Sequence, residues 1–202
     1  YIKIIDGDKE EVNIGDLVSL DSDLIINDDY IIGRSLGQKL FQFLTILLAD
    51  KIKDKTFNYS IFMGSIAQST IGFRGTQTST YMLEPNFAIA LTGFEINESS
   101  PKINFGDGPI LSYYDSKLLP DQEFLRFIKE NFNLKAYMGL RANDGSFIHK
   151  TLKGAKTVAL GLPIKNMGTS YEIVSKKDFV NLYEFMLEFL DKMNDYRIDH
   201  EY

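Results

Sequence analysis

Ala67-Gln68-Ser69-Thr70-Ile71-Gly72-Phe73-Arg74-Gly75 separates two segments of different hydrophobic period. Before it, Tyr59-Ser60-Ile61-Phe62-Met63 is a short apolar run of buried-strand type. After it, the pattern predicts a helical segment from about Gly72 to Met82, closed by Pro85 because the residue before a proline is driven out of the helical region. Phe87-Ala88-Ile89-Ala90-Leu91 is then a second run of strand length. Strand, loop, helix and strand in succession make a crossover unit, which assigns the chain to the α/β class.

The same alternation extends in both directions. Upstream, Leu36, Leu40, Phe41, Phe43, Leu44, Leu47 and Leu48 recur at intervals of three and four, predicting a helix from Ser35 to about Asp50. Downstream, Ile110–Tyr114 is a third apolar run, Pro120 opens a helix carrying Phe124, Phe127 and Ile128, and Leu134–Met138 alternates like an edge strand. Lys156–Gly161 follows. A last helix runs from Ser175 to about Tyr196, with Ser175 and Asp178 spaced as a capping box. The expected architecture is a mainly parallel twisted sheet with helices on both faces. From Tyr1 to Ile32 short apolar runs such as Tyr1–Ile5 alternate with turn residues, which predicts small antiparallel strands and a boundary near Asn27 to Ile32.

Composition limits the functions available. The chain has 202 residues, 44% of them hydrophobic, enough for one stable core. A formal charge of -6 with lysines scattered among acids argues against nucleic acid as a partner. The richest apolar segment, Leu40–Ala49, is too short to span a bilayer, so no membrane role is expected. There is no cysteine, which excludes disulfides, thiolate catalysis and Cys-ligated zinc, and makes the cytoplasm the expected compartment. The first residue is Tyr1, and the expectation is that the chain starts inside a longer protein.

Several segments, taken in order, resemble the glutamyl aminopeptidase family of tetrahedron-forming dinuclear metallo-exopeptidases. Gln68–Gly75 is similar to the family's Gln-Glu-Glu-Val-Gly-Leu-Arg-Gly. Gly33-Arg34-Ser35-Leu36-Gly37-Gln38-Lys39 resembles Gly-Lys-Ala-Leu-Asp-Asp-Arg, and Phe87–Thr92 resembles Ile-Ala-Ile-Ala-Val-Asp. Gly106-Asp107-Gly108-Pro109, Tyr114-Asp115-Ser116, Asn143-Asp144-Gly145-Ser146 and Gly161-Leu162-Pro163-Ile164-Lys165 each resemble a later family segment. So do Glu172–Ser175 and Asp178–Leu182. The set runs from about Val12 to Met193. It implies a zinc-exopeptidase-like core over residues 31–202, preceded over residues 1–30 by the remnant of an inserted small β domain.

At the metal positions the resemblance fails. The family holds two divalent ions, zinc or cobalt, through oxygen and imidazole ligands, and a Glu acts as general base on the shared water. Matched residue by residue, the bridging Asp falls at Gly37, the general-base Glu at Ser69, a metal-binding Glu at Thr70, another ligand Asp at Thr92 and the late His at Gly168. Asp28 and Asp29 offer a second register for the bridging position, but Gly33–Leu36 and the helix that follows favour Gly37. A hydroxyl or a missing side chain supplies no negative charge for such a site. No intact catalytic or metal-binding residue is therefore expected and no cofactor is predicted. The first functional reading is an inactive family member serving as a binding or structural subunit. The alternative is an active aminopeptidase holding two divalent metals, and the third is an unrelated α/β binding protein. The resemblance also implies a homo-oligomer, a dimer or larger, with peptides as possible ligands.

Other residues carry plainer readings. His149 reads as a helix residue and His200 as solvated tail. Asp115 and Asp144 fall at positions that support the fold. Asp21, Asp23, Asp28 and Asp29 lack the Gly and terminal Glu of a calcium loop and read as solvated turns. The glycines of Gly72-Xaa-Xaa-Gly75 and Gly106-Xaa-Gly108 read as turns. No base is evident beside Ser69-Thr70 that would make either a nucleophile.

Overall fold

The computed structural model describes residues 12–19, 21–96 and 103–196. In chain order the elements are β1 (Ile25–Ile26), β2 (Tyr30–Gly33), α1 (Leu36–Ile52), α2 (Arg74–Leu83), β3 (Phe87–Ile96), β4 (Ile110–Tyr114) and α3 (Gln122–Asn131). They continue with β5 (Lys135–Met138), the single turn α4 (Gly145–Ile148), β6 (Lys156–Lys165), β7 (Glu172–Ser175) and α5 (Lys176–Lys192). The strands form one seven-stranded sheet in the order β1-β2-β7-β6-β4-β5, with β3 also on β6.

β6 organises the molecule. It pairs in parallel with β3 over all ten residues, from Phe87 opposite Lys156 to Ile96 opposite Lys165. With that edge taken, β4 and β7 share the other, meeting β6 antiparallel at Gly161 and Leu160 and at Ile164 and Lys165. Val158, Leu160, Leu162 and Ile164, alternate residues on one face, pack with buried side chains of α1, α3 and α5. Ala159, facing the other way, packs with Ala90 and Leu118. α4 touches both β3 and β6, and α2 packs on α4. α1 presents Leu36, Leu40, Phe41, Leu44 and Leu48 to the core, the spacing of one helical face.

The α/β class stands, but the sheet is mixed instead of mainly parallel. Among the described residues β3–β6 and β4–β5 are the parallel pairs and the other four are antiparallel. The physical reason is the short β6–β7 connection, which returns the chain as a hairpin and leaves β7 to pair antiparallel with β2. The expected strand at Tyr59–Met63 is not one. Its side chains alternate between half-buried (Tyr59, Ile61, Met63) and exposed (Ser60, Phe62), as in a strand, yet among the described residues it has no ladder partner. It is held at its start by side chains: Tyr59 Oη donates to Leu190 O at 2.6 Å, and Asn58 bonds Asn194 twice.

The capping box is half formed. Ser175 Oγ accepts from Asp178 N, but the Asp178 carboxylate turns away to accept from Gly106 N and Gly108 N at 2.9–3.0 Å. Asp28 and Asp29 sit at the tip of the β1–β2 hairpin, whose turn is closed by Asn27 Oδ1 accepting from Asp29 N and Tyr30 N. Tyr1–Ile5 and His200 lie outside the described residues. No helix among the described residues is long and apolar enough to cross a membrane.

Candidate functional site

Beside the middle of β3, along Ile89 to Gly93, a cavity of about 1100 Å³ opens among the loops. Gly37, Ser69, Thr70, Thr92 and Gly168, the five positions singled out in the sequence, all line it. The topology explains the convergence. Gly37 stands in the first turn of α1, immediately after β2. Ser69 and Thr70 form a 3₁₀ turn before α2, Thr92 lies on β3, and Gly168 lies in the β6–β7 connection. Asp28 and Asp29 do not reach the cavity wall.

Among the described residues two carboxylates line the cavity, and protein donors engage both. Glu172, buried at the start of β7, accepts from Gly37 N through Oε2 at 3.1 Å and from Gly168 N through Oε1 at 2.7 Å. Its two oxygens therefore tie together two of the five positions. Asp144 Oδ1 accepts from Ser69 Oγ at 3.1 Å and also from Thr76 Oγ1, linking the 3₁₀ turn and α2 to the start of α4. The sequence showed no base beside Ser69; the structure puts this carboxylate there. A carboxylate without an imidazole is a poor base toward a hydroxyl, so the contact reads as a structural link.

Sequence reasoning missed Glu172 as a component of this site. Its position four residues after Gly168 was the available signal, but it had been matched only as part of a β segment. Asp115 is buried behind the cavity, where its oxygens accept from Lys117 N, Leu118 N and Asn143 Nδ2, all at 2.7 Å. His149 Nδ1 lies 2.8 Å from Gly145 O at the end of α4. Both hold local structure. Gly72 and Gly106 have φ of +97° and +95°, the turn geometry expected of them, whereas Gly75 stands in the first turn of helix α2 and not in a loop turn.

The donor set does not fit a pair of divalent ions. Such a site needs several anionic oxygens and imidazoles converging. Among the described residues the wall offers no histidine and two carboxylates, which already serve as acceptors. Among the described residues no three His, Asp or Glu side chains cluster closely enough to hold a metal. The backbone has also adapted to glycine. Gly168 has φ +83°, a conformation strained for any L side chain.

Comparison with known proteins places this geometry. A protein of Acetivibrio thermocellus named "Putative aminopeptidase" is 26% identical over 204 residues, 93% of this chain and 61% of that protein. The chain spans about three-fifths of the length of the curated relatives it matches. Among solved structures, aminopeptidase APDkam598 from the archaeon Desulfurococcus kamchatkensis superposes with a TM-score of 0.79 at 19% identity, covering 91% of this chain and 57% of that one. The Pyrococcus horikoshii TET1 peptidase, described as assembling into a tetrahedron or a large octahedral shell, gives 0.69 at 20% identity, covering 82% and 51%. These two likenesses show the fold. The M42 glutamyl aminopeptidase model matches residues 6–185, most of the chain, and the protein belongs to that family.

Proposed function

We propose that the protein is a metal-free, catalytically inactive member of its family that acts as a binding or structural subunit. One observation carries the reading. Five positions that the family resemblance assigns to metal and proton chemistry meet on one cavity wall, and they are occupied by Gly, Ser and Thr. None of the five supplies an anionic charge to hold two divalent ions, and none can serve as a carboxylate base.

What remains is a polar cavity suited to binding. Its exposed amide and hydroxyl groups, Gln68 and Thr70 among them, can hydrogen-bond a peptide backbone. Self-association into a dimer or larger belongs to the same reading, supported by the described assembly of the Pyrococcus horikoshii neighbour. We assign the protein to the cytoplasm because it has no cysteine. The test is metal analysis after incubation with zinc or cobalt, paired with an assay on amino-acid p-nitroanilides. The expected result is no stoichiometric metal and no hydrolysis that a chelator abolishes. Two bound ions per chain, or chelator-sensitive turnover, overturns the proposal.

A further inference from the structure

One wall of the cavity, residues 64–70, is held far more loosely than the others. It ends the connection between α1 and the 3₁₀ turn, residues 53–68, which contains no helix or strand. That connection is longer than the roughly 12–15 residues beyond which such segments are usually functional lids or linkers. No residue from 49 to 75 is buried. Asn58 and Tyr59 fix the first half to the end of α5, and Met63 is the last residue before α2 that packs on the main core. Among the described residues, 60–67 make one hydrogen bond, and it lies within the segment itself: Ile66 O accepts from Ser69 Oγ at 3.3 Å. Few buried contacts and few bonded backbone groups are the marks of a segment that opens locally at low cost.

The far end is tied, but weakly. Ser69 Oγ divides its one proton between Ile66 O and Asp144 Oδ1, the latter at 3.1 Å. Asp144 is itself held in place by the Thr76 hydroxyl of α2. Arg74 N donates to Gln68 O across 3.4 Å, a long bond. Gln68 and Phe73 have φ of +62° and +55°, conformations that cost free energy in residues with a Cβ and persist only where contacts enforce them. At Gly75 an added Cβ would run into the backbone oxygen of Ala67, so the segment lies directly on the start of α2. Gly64 and Gly72, on either side, stand in open space with nothing within 4 Å of an added Cβ.

We infer that residues 64–70 are a flap on the cavity, pivoting near Gly64 and Gly72, and that the Ser69–Asp144 contact is the latch that holds it against α2. Breaking the latch frees Gln68 from its strained conformation, so the closed and open positions are separated by few interactions. Ser69 stands where the family resemblance puts a catalytic base, and here its hydroxyl secures a movable wall instead. The flap governs access to the inner wall on β3 whatever the cavity holds, independently of the metal-free reading.

The chain contains no cysteine, so Thr92→Cys places a single reporter thiol on the β3 side of the cavity. Adding Ser69→Ala to that variant should raise its labelling by fluorescein maleimide about tenfold, the effect of one hydrogen bond to a charged acceptor, and leave labelling by the smaller N-ethylmaleimide within about twofold. Ser69→Thr, which keeps the hydroxyl, should restore the slow rate. Amide hydrogen exchange separates local opening from a loosened fold. In Ser69→Ala the Arg74 N–H, bonded to Gln68 O, should exchange about tenfold faster while β6 and α5 stay as protected as before. Equal fluorescein labelling with and without the Ser69 hydroxyl, or faster exchange throughout the sheet, overturns the flap.

Discussion

A single carboxylate, Glu172, joins three segments of the cavity wall through backbone donors. Its two oxygens take the backbone N–H groups of Gly37 and Gly168, so β7, the start of α1 and the β6–β7 connection are fixed to one another. In Glu172→Gln the amide nitrogen faces a backbone donor, and one buried N–H loses its acceptor. The cost is about 1–3 kcal/mol, and a chain of this size melts about 2–4 °C lower for each kcal/mol. Scanning calorimetry, with hydrogen exchange at Gly37 and Gly168, measures it; an unchanged melting temperature would show that the clamp is dispensable. Tyr59 gives a second test with a defined pH window. Burial first, and then the negative charge of Asp191, push its hydroxyl up to about 12 from an ordinary value of 10.0. A folded-state value above the unfolded one means that the stabilisation is complete below pH 10 and is lost as pH rises toward 12. Tyr59→Phe should thus be less stable than wild type at pH 8, by about 1 kcal/mol for the lost bond to Leu190 O. The gap should shrink by pH 11, and urea midpoints showing a constant gap at both values contradict the assignment.

Among the elements, α5 depends on a contact that its sequence pattern disguises. Ser175 and Asp178 have capping-box spacing, but the Asp178 carboxylate caps the Gly106–Gly108 turn, so one residue joins the last helix to the loop before β4. Burial raises its pKa, and the bonds from Gly106 and Gly108 oppose that rise without cancelling it. With the folded value above the unfolded one, its contribution is fully present below the ordinary Asp range and declines as pH rises through the raised value. The stability of wild type relative to Asp178→Asn should therefore be greater at pH 3.5 than at pH 7. Denaturation midpoints ordered the other way would mean that the backbone donors dominate. The contact also shows what periodicity can and cannot reveal. α1, α3 and α5 were legible because each buries one regular face, and β4 and β6 because each is a short continuous apolar run buried on both faces. The mixed pairing was not, since strand direction depends on where connections return the chain. The failure at Tyr59–Met63 is of the same kind: the run alternates as a strand should, but a strand is defined by a neighbour that no local pattern contains. Five residues of the cavity wall were singled out through family resemblance, whereas Glu172 was not, because its importance lies in two backbone groups 135 and 4 residues away.

For the whole molecule, self-association must overcome a net charge of -6 on each chain. The described surface carries apolar side chains able to do so: Ile14 and Leu17 are fully exposed, and Leu24, Ile25 and Ile26 are exposed at the β1 end of the sheet. Association driven by apolar burial against like-charge repulsion has a diagnostic salt dependence, since screening weakens the repulsion and leaves the burial intact. Light scattering coupled to size exclusion should accordingly give a mass of at least about 46 kDa, twice the 23.0 kDa of one chain, at tens of micromolar protein. Raising the salt from 0.05 M to 0.5 M should hold or increase that mass. A 23.0 kDa species at both salt concentrations would refute self-association, and dissociation at high salt would show that opposite charges, not apolar side chains, join the copies.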